Sequence, residues 1–272
     1  MMSGRRWMRS GWRRRSPMRD VAVEVIGLEL PLVKGGDDLA GMIAEAAERA
    51  GGLRGGDVVV VSSKAVSMAE GNVVRLSAVR PGRRAKRLAG ITGQPSEFVQ
   101  VVLDESDEVI SAVRGAILTV KDGTICVNAG ADLSNAPAGH AILWPRNPHL
   151  SARMIMRSIG GAGKRVGVVI SDSVVRPLRL GTVGQAIGWA GLDPVMDCRG
   201  QPDIYGKPLR ITFRALADQI ATAAQLVMGE GDERRPVAIV RGLVLPSRGS
   251  RTSPIIPKKK CLYFSVPCRR GN

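Results

Sequence analysis

Acidic and small polar residues stand in three short clusters, each where an apolar run ends in a glycine-rich turn. The first is segment 128–135, with Asp132 between two asparagines; the second is Asp172 with a serine on each side; the third is segment 228–235, with Glu230 beside two arginines. Such turns expose backbone N–H groups and carboxylates together, as phosphate and metal sites require. Carboxylate and hydroxyl oxygens are the ligands that Mg²⁺ and Mn²⁺ prefer. The clusters therefore indicate metal-assisted phosphate chemistry.

Each cluster also has a purely structural interpretation, because acidic and small residues are common in turns. Segment 128–135 is equally an Asx-rich turn, Asp172 with its serines equally a cap, and segment 228–235 equally a solvated loop. Taken alone, the clusters leave the substrate open.

Two further groups of polar residues are candidates for binding anions. Ser62-Ser63-Lys64 follows an apolar run and is a candidate phosphate contact, although it lacks the glycines of a P-loop. Arg176 and Arg179 are candidates for binding an anionic substrate. The two histidines, His140 and His149, are expected in loops, and the sequence suggests no Ser-His-Asp or Cys-His set.

The net charge of +16 is typical of nucleic-acid-binding proteins, but its distribution argues against that class. Residues 1–20 contribute +6 and residues 247–272 contribute +7, which leaves +3 for residues 21–246. Aromatic residues, on which bases stack, make up only 3% of the chain. A nucleic-acid-binding protein acting through its ends is therefore the weaker alternative, and nucleic acid is not an expected partner.

The four cysteines form no CxxC pair, so neither a zinc site nor a disulfide framework is predicted, and a reducing, cytoplasmic location is expected. No apolar run approaches the roughly 18 residues of a membrane span, so no membrane partner is expected.

The hydrophobic pattern predicts an α+β fold with mixed sheets and helices. A helix is predicted over residues 39–50, capped by Asp37 or Asp38, and another over residues 213–228. Two more helical stretches are expected within residues 82–113. Strands are predicted at 21–26, 58–61, 166–170 and 237–240, with a hairpin formed by 116–120 and 124–127. We predict a disordered basic arm at 1–20, one folded domain at 21–246 and a basic tail at 247–272.

Taken in order, the polar clusters and their neighbours resemble the coenzyme F420-0:L-glutamate ligase family, also called F420 gamma-glutamyl ligases. The resemblance covers roughly residues 21–243. It rests on Leu30-Pro31-Leu32-Val33, Ser62-Ser63-Lys64, Ala69-Glu70-Gly71, segment 128–135, Ser171-Asp172-Ser173, Gly188-Trp189-Ala190-Gly191, Asp203-Ile204-Tyr205-Gly206 and Met228-Gly229-Glu230.

The resemblance implies a GTP-dependent ligase that adds L-glutamate to the deazaflavin coenzyme F420-0 through an acyl phosphate, and then a second glutamate through a γ-linkage. It implies two divalent ions, Mg²⁺ or Mn²⁺, with K⁺ as an additional candidate. It also implies two interlocked lobes and an intertwined homodimer.

Matched position by position, the resemblance implies that Asp132 and Asp172 bind one metal ion, that Ser173 and Glu230 bind the second, and that the three acids are catalytic. The positions matching GTP contacts are Leu30, Pro31, Leu32, Val33, Ser63, Asn135, Met228, Gly229, Gly231, Asp232, Glu233, Arg234 and Arg235.

The chain departs from the family pattern at several positions. Met68 stands where the family usually has a lysine that contacts a GTP phosphate, and Phe213 stands where it usually has glutamate. Val174, Val175 and Leu180 also replace more usual residues. These departures keep a second hypothesis open, a relative of the same fold with lost or altered ligase activity.

Overall fold

The computed structural model describes residues 22–160, 165–243 and 252–264. The arm predicted at residues 1–20 lies outside these ranges, as do parts of the tail predicted at 247–272. The helices within the described ranges are α1 (Leu39–Arg49), α2 (Ser63–Ala69), α3 (Arg83–Thr92), α4 (Ser96–Glu105), α5 (Pro148–Ile159) and α6 (Leu216–Met228). The strands are β1 (Glu24–Leu28), β2 (Val58–Ser62), β3 (Val73–Arg75), β4 (Glu108–Val113), β5 (Ala116–Lys121), β6 (Thr124–Val127), β7 (His140–Ile142), β8 (Gly167–Val175), β9 (Thr182–Ala190), β10 (Met196–Asp197), β11 (Phe213–Arg214) and β12 (Val237–Arg241).

The main sheet has the strand order β1-β12-β2-β8-β9. β2 and β8 are parallel, whereas every other pair of neighbours is antiparallel. Strands β1, β2 and β8 therefore run in one direction, and β12 and β9 run in the other. The α+β class with mixed sheets, predicted from the sequence, is confirmed.

Helices cover both faces of the main sheet. Val59 and Val61 of β2 pack in a core with α1 and α5, while Val58 and Val60 pack on the opposite face against α6. A strand that is buried on both faces has no position for a polar side chain, which explains the unbroken apolar run of β2. Each buried valine contributes roughly 1.5–3 kcal/mol to the stability of the fold.

A smaller unit lies between β2 and β8 in the chain. It consists of α3 and α4 packed on the antiparallel meander β4-β5-β6, with Phe98 and Ile117 fully buried between them. The two helices and the 116–127 hairpin were predicted correctly. The range 82–113 that holds both helices also contains β4, an edge strand of the meander that was not predicted.

A bulge in β9 places two glycines of this strand on opposite faces of the main sheet. The register of β8 against β9 shifts between Ile170 and Ser171, which turns Gly184 toward α6 and Gly188 toward α5. A Cβ at Gly184 would lie 2.4 Å from the carbonyl oxygen of Ala221, and one at Gly188 would lie 2.5 Å from the carbonyl carbon of Pro148. These glycines allow both helices to approach the backbone of β9.

Two helix boundaries follow from local contacts. Asp38 caps α1, as predicted, because its side chain accepts a hydrogen bond from Gly41 N at 3.0 Å. Helix α6 begins at Leu216 rather than at residue 213, because Phe213 and Arg214 pair with β10. No helix in the described ranges is both long and apolar enough to span a bilayer.

Candidate active site

Four chain segments meet at one edge of the main sheet. Strands β1, β2 and β8 all run toward this edge, and β12 begins there because it runs in the opposite direction. The pairing of Ser62 with Ser171 places the end of β2 beside the middle of β8. The segments after β1, at the β2–α2 junction, within β8 and before β12 line a cavity of about 410 Å³. This volume lies within the range of about 300–1,000 Å³ that is typical of small-molecule sites.

Asp172 is held at the cavity wall by two donors. Ser63 Oγ donates to its Oδ1 at 2.9 Å, and the indole N–H of Trp144 donates to its Oδ2 at 2.6 Å. Burial raises the pKa of Asp172, although both hydrogen bonds and the charge of Lys64 act in the opposite direction.

Asp132 is ion-paired with the ammonium group of Lys64, the first residue after Ser63 in α2. The Lys64 Nζ to Asp132 Oδ2 distance is 2.6 Å, and Ser134 donates to the same carboxylate through its amide and its hydroxyl at 2.7 and 2.9 Å. Burial alone would raise the pKa of Asp132, but the hydrogen bond and charge of Lys64, together with Ser134, hold it below its ordinary value.

The backbone before Asp132 is unusual. Asn128, Ala129 and Gly130 have φ values of 53°, 53° and 72°, three successive residues in the left-handed region. A non-glycine residue there costs about 1–2 kcal/mol. Hydrogen bonds offset this cost, because Asn128 Oδ1 accepts from Ile117 N and Ala129 N donates to Thr119 Oγ1, both at 2.9 Å.

Glu230 belongs to a second polar group that lines the cavity. Its Oε1 accepts hydrogen bonds from Ser173 Oγ at 2.6 Å, from Thr182 Oγ1 at 3.1 Å and from the side-chain amide of Gln225. Gln225 lies in the last turns of α6, so the close approach of this helix at Gly184 is what brings the amide to Glu230.

The remaining wall consists of two loops that are bonded to each other and to the Asp132 turn. Leu30 N donates to Arg234 O at 3.1 Å, and the side-chain amide of Asn135 donates to Gly231 O at 3.4 Å. Glu233 points back into its own loop, where its carboxylate accepts from Gly231 N at 2.8 Å, and backbone donors lower its pKa.

The structure brings most of the predicted site residues to this cavity. Fourteen of them line it: Leu30, Pro31, Leu32, Val33, Asn135, Asp172, Ser173, Met228, Gly229, Glu230, Gly231, Asp232, Arg234 and Arg235. Ser63 and Asp132 lie one contact away, through Asp172 and Lys64. Glu233 is the exception, because its side chain is committed to its own loop.

Three residues at the site were not predicted from the sequence. Trp144, Gln225 and Thr182 each contact one of the predicted acids. For Trp144 a signal existed, because a tryptophan that ends an apolar run needs an acceptor for its N–H when it is buried. The contacts of Gln225 and Thr182 depend on tertiary structure alone.

The candidate anion-binding arginines and the histidines lie elsewhere. Arg176 and Arg179 are exposed in the turn between β8 and β9. The expectation that both histidines occupy loops is wrong: His140 begins β7, and His149 lies in the first turn of α5, where its Nδ1 accepts from Trp189 N at 3.3 Å.

The donor atoms around the cavity suit hard divalent cations. Asp172 with Ser63, and Glu230 with Ser173, present oxygen atoms only, and Asp132 already holds a cation in the form of Lys64. Among the described residues no group of three or more His, Cys, Asp or Glu side chains converges on one point. The residues therefore fit Mg²⁺ or Mn²⁺ ions that complete their coordination with hydroxyl, water or phosphate oxygens.

Fold and site together define an α+β protein with an acidic, oxygen-rich cavity beside two arginines. The chain belongs to the F420-0:Gamma-glutamyl ligase family, whose model matches residues 27–242. Proteins named coenzyme F420:L-glutamate ligase are similar to it over most of their length. The protein from Archaeoglobus fulgidus is 44% identical over 230 residues, which cover 84% of this chain and 91% of that protein. The Methanocaldococcus jannaschii protein is 42% identical over 246 residues, with coverage of 89% and 96%.

Proposed function

We propose that this protein is a GTP-dependent ligase that joins L-glutamate to coenzyme F420-0 in coenzyme F420 biosynthesis. Membership of the ligase family supports the reaction. The observation that carries the proposal is that anion-binding and cation-binding groups line one cavity. Arg234 and Arg235 lie there together with Asp172 and Glu230, as a nucleotide triphosphate with its metal ions requires.

An unpaired hydrogen-bond donor in the side chain of Arg235 supports an anionic ligand. Its Nε is buried and has no hydrogen-bond partner within the described residues. An unpaired buried donor costs about 1–3 kcal/mol, and Arg235, which also lines the cavity, would recover this cost if its guanidinium turned toward a phosphate oxygen. The loops 30–33 and 228–235 would hold the rest of the nucleotide, with Ser63 and Asn135 at its edges.

The chemistry follows from the weakness of a carboxylate as an electrophile. A carboxylate oxygen of F420-0 attacks the γ-phosphorus of GTP, GDP leaves, and an acyl phosphate forms. The amine of L-glutamate then attacks the acyl carbon, phosphate leaves, and an amide results. A second turnover on the γ-carboxylate of the added glutamate extends the chain through a γ-linkage.

The protein's part in this reaction is to position reactants and stabilise charge. Asp132 and Asp172 would hold one divalent ion, and Ser173 and Glu230 the second, with K⁺ as a further candidate ion. Bound metal ions neutralise phosphate charge and orient the attacking and leaving oxygens. Lys64, which lines the cavity, adds a cation at the same edge of the sheet.

A second candidate function is favoured by one observation. Met68 lines the cavity at the position where the resemblance expects a lysine. A relative that binds the nucleotide weakly, with lost or altered ligase activity, would show this substitution.

One experiment distinguishes the active ligase from the relative with lost or altered activity. Purified protein is incubated with F420-0, GTP, L-glutamate and Mn²⁺, and the product mass is measured, with ATP in place of GTP as the nucleotide control. We expect the mass to increase by one or more glutamyl residues with GTP, and the increase to be lost in Glu230→Gln. No mass increase with either nucleotide would reject the ligase and leave the altered relative.

We further propose that the protein acts as a homodimer in the cytoplasm. Leu178 and Leu180, in the turn between β8 and β9, are fully exposed, and Ile204 in a later loop is 91% exposed. Exposed apolar side chains that stand close together are typical of interaction surfaces, and Leu178 and Leu180 are only two residues apart. Light scattering should give a dimer mass for the wild type and a monomer for Leu178→Asp/Leu180→Asp. Leu226→Asp, which changes another exposed leucine, should remain dimeric; equal masses for all three would reject this surface.

A further inference from the structure

The side chain of Trp144 is hydrogen-bonded to a carboxylate of the cavity wall. It follows β7, is only 4% exposed, and its indole N–H donates to Asp172 Oδ2 at 2.6 Å. Its backbone carbonyl is held by the side-chain amide of Asn72. Buried indole N–H groups need an acceptor, and here the acceptor is a carboxylate at the centre of the site.

Gly130 provides the space that the indole ring occupies. Its φ is +72°, and a Cβ at this position would lie 2.2 Å from Trp144 Nε1. Any side chain at position 130 would therefore displace the ring from Asp172. The left-handed turn that precedes Asp132 thus also sets the position of the ring beside Asp172.

Trp144 and Ser63 together fix the orientation of the Asp172 carboxylate. Each of its two oxygens accepts one hydrogen bond, and the two donors come from different parts of the fold. The carboxylate cannot rotate about its terminal torsion without breaking both bonds. A carboxylate offers about four acceptor positions, so lone pairs remain on the cavity side.

We propose that Trp144 is a positioning residue, which orients Asp172 for a divalent ion and so raises the affinity of the cavity for that ion. This inference rests on the proposed function in one respect, that Asp172 binds a metal ion. Hydrogen-bond partners of metal-binding carboxylates typically contribute about 10–100-fold to metal affinity. The indole is suited to this role because it is a donor only and is enclosed by packing.

The test compares Trp144→Phe with Trp189→Phe as a matched control. Trp144→Phe removes the hydrogen-bond donor to Asp172 and keeps most of the apolar volume. Trp189→Phe makes the same change in β9, where the ring packs against His149. Mn²⁺ affinity is measured by electron paramagnetic resonance of the free ion, without nucleotide or other substrates. We expect binding about 10–100-fold weaker in Trp144→Phe and unchanged in Trp189→Phe. Ligase activity of Trp144→Phe should return at saturating Mn²⁺, which a merely structural defect would not show.

A second measurement keeps Trp144 in place and does not depend on the folding of that variant. The chain has four tryptophans, so Trp7→Phe/Trp12→Phe/Trp189→Phe leaves Trp144 as the single indole. Its ¹H–¹⁵N indole resonance should shift with Mg²⁺ and broaden away with one equivalent of Mn²⁺.

The outcomes separate this inference from the proposed function. Equal Mn²⁺ affinities of Trp144→Phe and wild type, or an indole resonance unaffected by bound Mn²⁺, would overturn the role of Trp144 and leave the ligase proposal standing. A wild-type protein that binds no Mn²⁺ would overturn both the metal-dependent mechanism and this role.

Discussion

Met68 offers the sharpest test of how the cavity binds a nucleotide. It lies on α2 one helical turn after Lys64 and lines the cavity, with part of its side chain packed on the core. Lys64 is already paired, because its ammonium contacts Asp132 at 2.6 Å and Ser134 at 2.9 Å. In Met68→Lys the aliphatic stem can keep the packing of methionine while the ammonium group reaches the cavity.

The size of the effect follows from two opposing contributions. A hydrogen bond from a charged donor to a phosphate contributes about 1.5–3 kcal/mol. Repulsion from Lys64, four residues earlier on the same helix, costs roughly 0.2–0.5 kcal/mol. The net gain exceeds about 1 kcal/mol, and since each 1.4 kcal/mol is a factor of ten, the Kd for GTP should fall about tenfold.

The assay measures GTP affinity by calorimetry for wild type, Met68→Lys and the uncharged control Met68→Leu, at low and high salt. The gain should appear only in the lysine variant and shrink with ionic strength. The KM for L-glutamate should not change. Equal GTP affinities in all three proteins would show that this face of α2 does not reach the phosphates. An inactive wild type that becomes active with Met68→Lys would favour the altered relative.

Three further predictions concern metal, stability and pH. EDTA should abolish ligase activity, and Mn²⁺ or Mg²⁺ should restore it; full activity in metal-free buffer would contradict the metal sites. Arg241→Ala should lower the free energy of unfolding, measured in urea, by about 3–5 kcal/mol. The reason is that the substitution leaves the buried carboxylate of Asp57 without the guanidinium group that contacts it at 2.9 and 3.0 Å. A loss below about 1 kcal/mol would contradict a stabilising buried ion pair. Burial raises the pKa of Asp218, so the folded protein binds the proton of this carboxyl group more tightly than the unfolded chain does. The contribution of Asp218 to stability therefore falls as the pH rises from about 3.9, the pKa in the unfolded chain, through the pKa in the folded protein. Asp218→Asn keeps an acceptor for Ala186 N and should therefore stabilise the protein at pH 7 but not below pH 3.9; an equal effect at both pH values would contradict the assignment.

Elements with a strong local signal were predictable from the sequence. Strand β2 is apolar at every position from Val58 to Val61 because both of its faces are covered, and α1 has apolar periodicity with Asp38 as its cap. Strand β9 was missed because Gly184 and Gly188 look like turn residues. In the fold these glycines serve two close helix contacts on opposite faces of the sheet.

Helix α5 was also missed, although its start carries a recognisable pattern. Asn147 caps the helix by accepting from Leu150 N at 2.9 Å, and Pro148 occupies the first helical position, where its missing N–H is harmless. The cap lies two residues after the pair Trp144-Pro145, which indicates an extended segment and hides the helix start. A pattern that favours a helix and a pattern that favours an extended segment are therefore adjacent in the sequence.

The candidate site could be predicted as a set of residues but not as a geometry, and the reason is topological. The carboxyl ends of β1 and β2, residues 171–173 within β8 and the start of β12 share one edge only because the strand order interleaves the two directions. Segment 30–33 therefore contacts segment 228–235 across some 200 residues of chain, through the bond from Leu30 N to Arg234 O. Local sequence patterns contain no information on strand order. Two contacts orient the acids, one from Trp144 to Asp172 and one from Gln225 to Glu230. They follow from that strand order together with the close packing that Gly130 and Gly184 allow.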